Sequence, residues 1–153
     1  MDPYAIKFYP DDIKKRIRLS DPVESIKKEM KKLSSKADIF ILLTHQGYDL
    51  DVEFAKKIDG LDLIVGSHSQ TKIESPKEVN DALIVQAGKS GYYVGIVEIK
   101  TNRGKVVEKS GRIDTMKFDM PDDPRIMKMI EEYESKTGRM NMRKKKLKEK
   151  ANG

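Results

Sequence analysis

Two short apolar runs, over residues 37–44 and 61–65, each lead into a histidine, the first directly and the second after two residues, and His45 and His68 are the only histidines in the chain. A run of that kind, rich in residues favoured in strands, predicts a strand covered on both faces. Between the runs, Leu50, Phe54, Ala55 and Ile58 recur at helical spacing, with Asp49 in place to cap and Gly60 in place to stop the helix. Strand, helix and strand joined by short links define a parallel pair with a right-handed crossover. Both imidazoles then leave the same carboxyl edge of a sheet, where open α/β sheets hold their ligands. Adjacent strands lie roughly 4.8 Å apart, so the two rings can reach a shared metal ion or phosphate. A lone histidine at a strand end is more often a polar residue satisfied by a carbonyl. Two in matched positions, flanked by small residues, put a metal or catalytic role on an equal footing.

The rest of the chain extends this α/β unit. Asp21, Pro22 and Glu24 form an N-terminal helix signal, and Val23, Ile26, Met30 and Leu33 continue it to about Ser34. Residues 1–20 lack periodicity and read as an irregular segment, with Tyr9-Pro10-Asp11-Asp12 as loop. Residues 82–86 and 92–100 read as strands on either side of Gly88-Lys89-Ser90-Gly91. Asn102-Arg103-Gly104 is a hairpin turn leading into a further strand, so the second half is richer in antiparallel pairing. A last helix starts at Asp123-Pro124, carries Ile126, Met129, Ile130 and Tyr133 on one face, and stops at Gly138.

Charge is unevenly spread. The 153 residues carry a net +6, but residues 136–153 hold eight basic side chains against one acid, leaving residues 1–135 near neutral at −1. The basic excess is a tail, expected to be disordered because Leu147 is the one apolar residue in its 143–150 run. Nucleic acid is therefore not the expected partner of the folded portion. No apolar run nears the roughly 20 residues of a membrane span, and the N-terminus lacks a signal-peptide pattern. The chain as it stands reads as cytoplasmic, or as periplasmic or extracellular if an exported half precedes it. Without cysteine there is no disulfide, thiolate zinc site or cysteine nucleophile. Gly88-Lys89-Ser90 lacks the upstream glycine and the following helix of a P-loop. Asp49, Asp51 and Glu53 lack the glycine of a calcium loop and are better read as a helix cap.

The segments Ile41-Leu42-Leu43-Thr44-His45-Gln46-Gly47, Gly60 to Thr71 with Gly66-Ser67-His68-Ser69-Gln70 at its end, and Leu83-Ile84-Val85-Gln86-Ala87-Gly88 resemble the calcineurin-like metallophosphoesterase superfamily. Within it they are most similar to the bacterial 5′-nucleotidase and UDP-sugar hydrolase branch. The resemblance runs from about Asp21 to Tyr133, including the helix that ends in Glu131-Glu132-Tyr133. It implies an α/β/β/α sandwich, of which residues 21–135 would be the C-terminal half, and two divalent ions such as zinc or manganese. His45 matches the histidine of the family's Ser/Thr-His-x-Gly motif. His68 matches the first histidine of Gly-His-x-His, and Gln70 stands at the second, where its carbonyl oxygen can bind metal. Lys89 lies in a loop at the active-site edge and is the candidate for contacting substrate phosphate.

The resemblance also marks what is missing. The family's Asp-x-His strand end, bridging Asp and Gly-Asn-His-Glu/Asp motif do not occur in these 153 residues. Neither histidine is left over for the general acid, and every expected carboxylate ligand is absent. The expectation is a phosphoric-ester hydrolase acting on nucleotides or related esters that is inactive or weakly active alone. Its half-domain would expose an apolar sheet face, leading to pairing with the missing half or to self-association. The alternative is a non-catalytic binding module whose basic tail contacts an acidic partner or nucleic acid.

Overall fold

A computed structural model describes residues 5–138. The chain divides after Met116 into two units. In the first, a turn of 3-10 helix over Ala5–Phe8 and a short helix α1 (Asp11–Lys14) occupy the segment expected to be irregular. Helix α2 (Pro22–Leu33) starts as its sequence requires, with Asp21 Oδ1 accepting the Glu24 N–H at 2.9 Å and Pro22 at the first helical position. Its lysines at 27, 28, 31 and 32 leave Val23, Ile26 and Met30 to pack against the core.

The central sheet is four-stranded in the order β1 (Ile41–Leu43), β2 (Leu63–Val65), β4 (Ala82–Val85), β3 (Lys77–Val79). β1, β2 and β4 are parallel in one register that aligns Leu42, Ile64 and Ile84 across the sheet. Helix α3 (Tyr48–Lys57) crosses between β1 and β2, as the strand–helix–strand reading requires. Its Phe54 and Ala55 join Ile58, Leu61, Ile64, Ala82 and Ile84 in the core.

Two local expectations are corrected here. Asp49 does not cap α3: Gly47 does, at φ 94°, a conformation that a side chain would strain, and no side chain among the described residues caps the helix. The 37–44 run gives a strand of only three residues, and it is not covered on both faces. Ile41 is 53% and Leu43 76% exposed, both on one face of a strand that forms the sheet's edge.

Strand β3 was unmarked in the sequence, since Lys77-Glu78-Val79 carries one apolar residue. It pairs antiparallel with β4 through a two-residue turn, Asn80-Asp81, both at positive φ (48° and 61°). The long hairpin of β5 (Tyr93–Asn102) and β6 (Lys105–Thr115) turns at Arg103-Gly104, again both at positive φ. The hairpin supplies a second layer. Gly95, Val97 and Ile113 line a cleft with Leu63, Val65 and Val85, the far face of β2 and β4.

The second unit holds α4 (Pro124–Thr137), capped by Asp123 accepting the Arg125 N–H at 2.8 Å and closed by Gly138 in the left-handed region. Its Ile126, Met129 and Tyr133 are exposed. The basic tail lies, from Arg139 onward, outside the described residues. No helix among the described residues is long and apolar enough to cross a membrane.

Candidate metal centre

The parallel register carries β1 and β2 to one edge, and both histidines emerge there. Thr44 N–H, immediately before His45, donates to Val65 O at 3.0 Å, so the first loop leaves the sheet level with the end of β2. His45 Nε2 lies 3.3 Å from His68 Nδ1, with the ring centroids 5.0 Å apart at 72°. Both rings are exposed to solvent. The backbone after β2 turns tightly: His68 (φ 75°) and Gln70 (φ 56°) both occupy the left-handed region. Non-glycine residues there cost roughly 1–2 kcal/mol each and persist where the surroundings dictate them.

Those surroundings are two buried polar side chains. Gln86, at the end of β4, is 3% exposed. Its Oε1 accepts from Ser69 Oγ (2.9 Å) and the Thr71 N–H, and its Nε2 donates to Ser67 O (3.1 Å). Ser69 Oγ in turn accepts the Tyr48 N–H at 3.1 Å, joining the His68 loop to the start of α3. Asp51, in the first turn of α3, is fully buried, and its Oδ1 accepts the Thr44 hydroxyl. Its Oδ2 has no hydrogen-bond partner among the described residues. Burial pushes the Asp51 carboxyl above its ordinary value, and the Thr44 hydrogen bond partly opposes that.

Sequence reasoning singled out His45 and His68, which the structure brings together, but gave Asp51 and Gln86 no part there. Asp51 was hidden among alternating acids that looked like a helix start. The available signal was that position 51 lies on the same helical face as Phe54, Ala55 and Ile58, which are buried. Gln70 is exposed on the His68 loop, two residues on. Lys89 is exposed in the Gly88–Gly91 turn, where its carbonyl accepts the Tyr92 N–H at 3.1 Å. Among the described residues no group of three or more histidine, aspartate or glutamate side chains is disposed to hold a metal.

The donors present fit part of a metal shell. Two nitrogens at about 2.0–2.1 Å from one tetrahedral ion are separated by roughly 3.3–3.4 Å, which is the separation of the two imidazoles. They do not fit a complete two-ion centre, which needs carboxylates to balance roughly four positive charges.

No family model matches the chain. Individual proteins do. The chain is 36% identical over 95 residues to a protein of Bacillus subtilis described as uncharacterized metallophosphoesterase YunD, covering 62% of this chain and 21% of YunD. It is 28% identical over 136 residues to human 5′-nucleotidase, covering 76% of this chain and 24% of that protein. Among solved structures, the 5′-nucleotidase precursor of Thermus thermophilus superposes with a TM-score of 0.68 at 28% identity, over 76% of this chain and 27% of the other. Fold, motifs and matches together define the calcineurin-like metallophosphoesterase class. Within that class the chain resembles the 5′-nucleotidase branch, and the similarity covers the C-terminal part. It spans about a quarter or less of the length of these relatives.

Proposed function

We propose that this chain supplies the histidine side of a two-metal phosphoesterase site and takes part in hydrolysis of nucleotide phosphate esters when a carboxylate-bearing segment completes the site. The observation that carries the reading is the pair of imidazole nitrogens at 3.3 Å on one sheet edge, in the family's own motifs. In this reading His45 and His68 hold one divalent ion and Gln70 offers its side-chain oxygen to the other. Lys89 meets substrate phosphate at the same edge. When bound, such ions neutralise phosphate charge and lower the pKa of water to make a nucleophile near neutral pH. The remaining work falls to this chain's residues, which orient the imidazoles and present a backbone already turned for ligation.

The completing segment would dock at β1. There Ile41 and Leu43 stand exposed while the equivalent residues of β2 and β4 are shielded by the hairpin, and the strand's outer edge is unpaired within the sheet. In this reading residues 21–135 act as the C-terminal half of one catalytic domain, and the same face drives self-association when no complement is present.

The test is to co-express the chain with the part of YunD that precedes the matched region, then assay AMP and a generic phosphate ester with manganese or zinc. Hydrolysis above either part alone is expected, falling at least a hundredfold in His45→Ala and His68→Ala. No hydrolysis, or hydrolysis indifferent to both substitutions, overturns the reading.

A further inference from the structure

We propose that Asp51 is the positioning residue that holds His45 and His68 at their working separation. This rests on the reading of the two histidines as ligands. The carboxylate sits where the ends of β1 and β2 meet. One oxygen accepts the hydroxyl of Thr44, the residue before His45. The other lies against Gly66, two residues before His68: a Cβ on Gly66 would stand 2.1 Å from Asp51 Oδ2 and 3.1 Å from Gln86 Nε2. Gly66 needs its missing side chain for that approach and not for its backbone angle, since its φ is not positive. Gly66 N–H is itself tied to Val85 O at 2.8 Å. A single buried group therefore lies against the strand end that leads into each histidine.

A structural explanation alone leaves much of this arrangement unaccounted for. Burying a carboxylate with one hydroxyl donor and, among the described residues, no cation beside it is unfavourable, and an apolar side chain would pack the same space without that cost. Helix α3 does not use Asp51 as its cap, which is Gly47. The carboxylate acts on the residues leading into the ligands. Thr44 is fixed by its hydroxyl and by its N–H to Val65 O, so the chain enters His45 in one direction. The His68 loop is fixed at one side by Gly66 against Asp51 and at the other by Gln86. Two exposed rings on loops would otherwise sample many separations, and groups behind metal-binding histidines are what fix ring orientation.

The experiment uses the full chain with no complement. Ring-proton nuclear Overhauser effects between His45 and His68 report their proximity without metal, and zinc affinity is read by competition with a chromophoric chelator. Asp51→Ala is expected to abolish the inter-ring effect and weaken zinc binding about 10- to 100-fold. Asp51→Asn, which keeps an acceptor for Thr44, retains the inter-ring effect and binds zinc within about threefold of wild type. A folded Asp51→Ala that keeps both signals overturns the proposal. If Asp51→Ala does not fold, Thr44→Val decides: loss of the inter-ring effect supports the proposal and its retention overturns it. Zinc binding unchanged in a His45→Ala, His68→Ala double variant would defeat the ligand reading, while the ring-to-ring signal still tests the positioning role on its own.

Discussion

β1 and β2 are written in nearly the same alphabet, Ile-Leu-Leu and Leu-Ile-Val, yet they live in different environments. β2 lies between two parallel neighbours and under the hairpin, with Ile64 fully buried and Leu63 5% exposed. Among the described residues β1 has one neighbour, and Leu43 is left 76% exposed. Both deliver a histidine to the same edge. The difference shows that apolar sequence reports the environment a strand is suited to. In β1 that environment is not furnished by the described residues, and this is where the proposed complement would sit.

The largest expected effect contrasts the two strands directly. Ile64→Ala should cost about 2–5 kcal/mol, as buried Ile or Leu truncations do, whereas Leu43→Ala should leave stability within about 0.5 kcal/mol. Urea denaturation of both variants measures the contrast. Equal losses would mean that β1 is as well covered as β2 in solution, most simply by self-association.

Next in size is the partner term. Leu43→Lys should leave the isolated chain folded but weaken assembly with the completing segment by roughly 1.5–3 kcal/mol, the burial energy of one leucine, with the charge adding to the loss on an edge strand. Titration calorimetry of the two parts, or loss of self-association in sedimentation, would show it. Assembly at wild-type affinity would move the docking face elsewhere.

What the sequence made legible follows the same division. The alternation of strand and helix through His45, α3 and His68 was readable because apolar spacing and short links leave one chirality and one edge. The β5–β6 hairpin was readable from Asn102-Arg103-Gly104. The extent of β1 was not, because its coverage depends on neighbours that composition does not name. β3 was missed because a charged edge strand carries little apolar signal, and only the Asn80-Asp81 turn betrays it. At the site the exposed ligand candidates announced themselves by motif. Asp51 and Gln86 did not, since a buried polar residue is recognised only when its partners, here Thr44, Gly66, Ser67, Ser69 and Thr71, are brought together by the fold.

At the end of β2 the packing around Asp51 gives a smaller, sharper test. Gly66→Ala places a methyl group against a carboxylate and an amide that are both buried, and overpacking of that kind costs about 1–3 kcal/mol. Gly91→Ala is the control, since a Cβ there meets nothing within 4 Å, although its φ of 71° brings its own backbone strain. Thermal melts should rank Gly66→Ala below wild type even though its backbone angle suits alanine. A neutral outcome would show that Asp51 swings away from the strand ends easily, which would also loosen its hold on the two histidines.

The smallest effect is a slope. Burial raises the Asp51 carboxyl in the folded chain above its ordinary value of 3.8, so between the unfolded and folded values the unfolded chain binds fewer protons than the folded one. Stability must then fall as pH rises through that window and level off above the folded value. Exposed carboxylates held by lysine or arginine, such as Glu29, Glu53, Glu74 and Asp123, are shifted the other way and push the total in the opposite direction. The informative quantity is therefore the difference between wild type and Asp51→Asn, not either curve alone. The variant cannot ionise at that position, so its stability relative to wild type should increase as pH is raised from about 4 and then plateau. A pH-independent difference would mean that Asp51 is as well solvated, or as well paired, in the folded chain as in the unfolded one. The edge between β1 and β2 would then be wetter than the buried carboxylate implies.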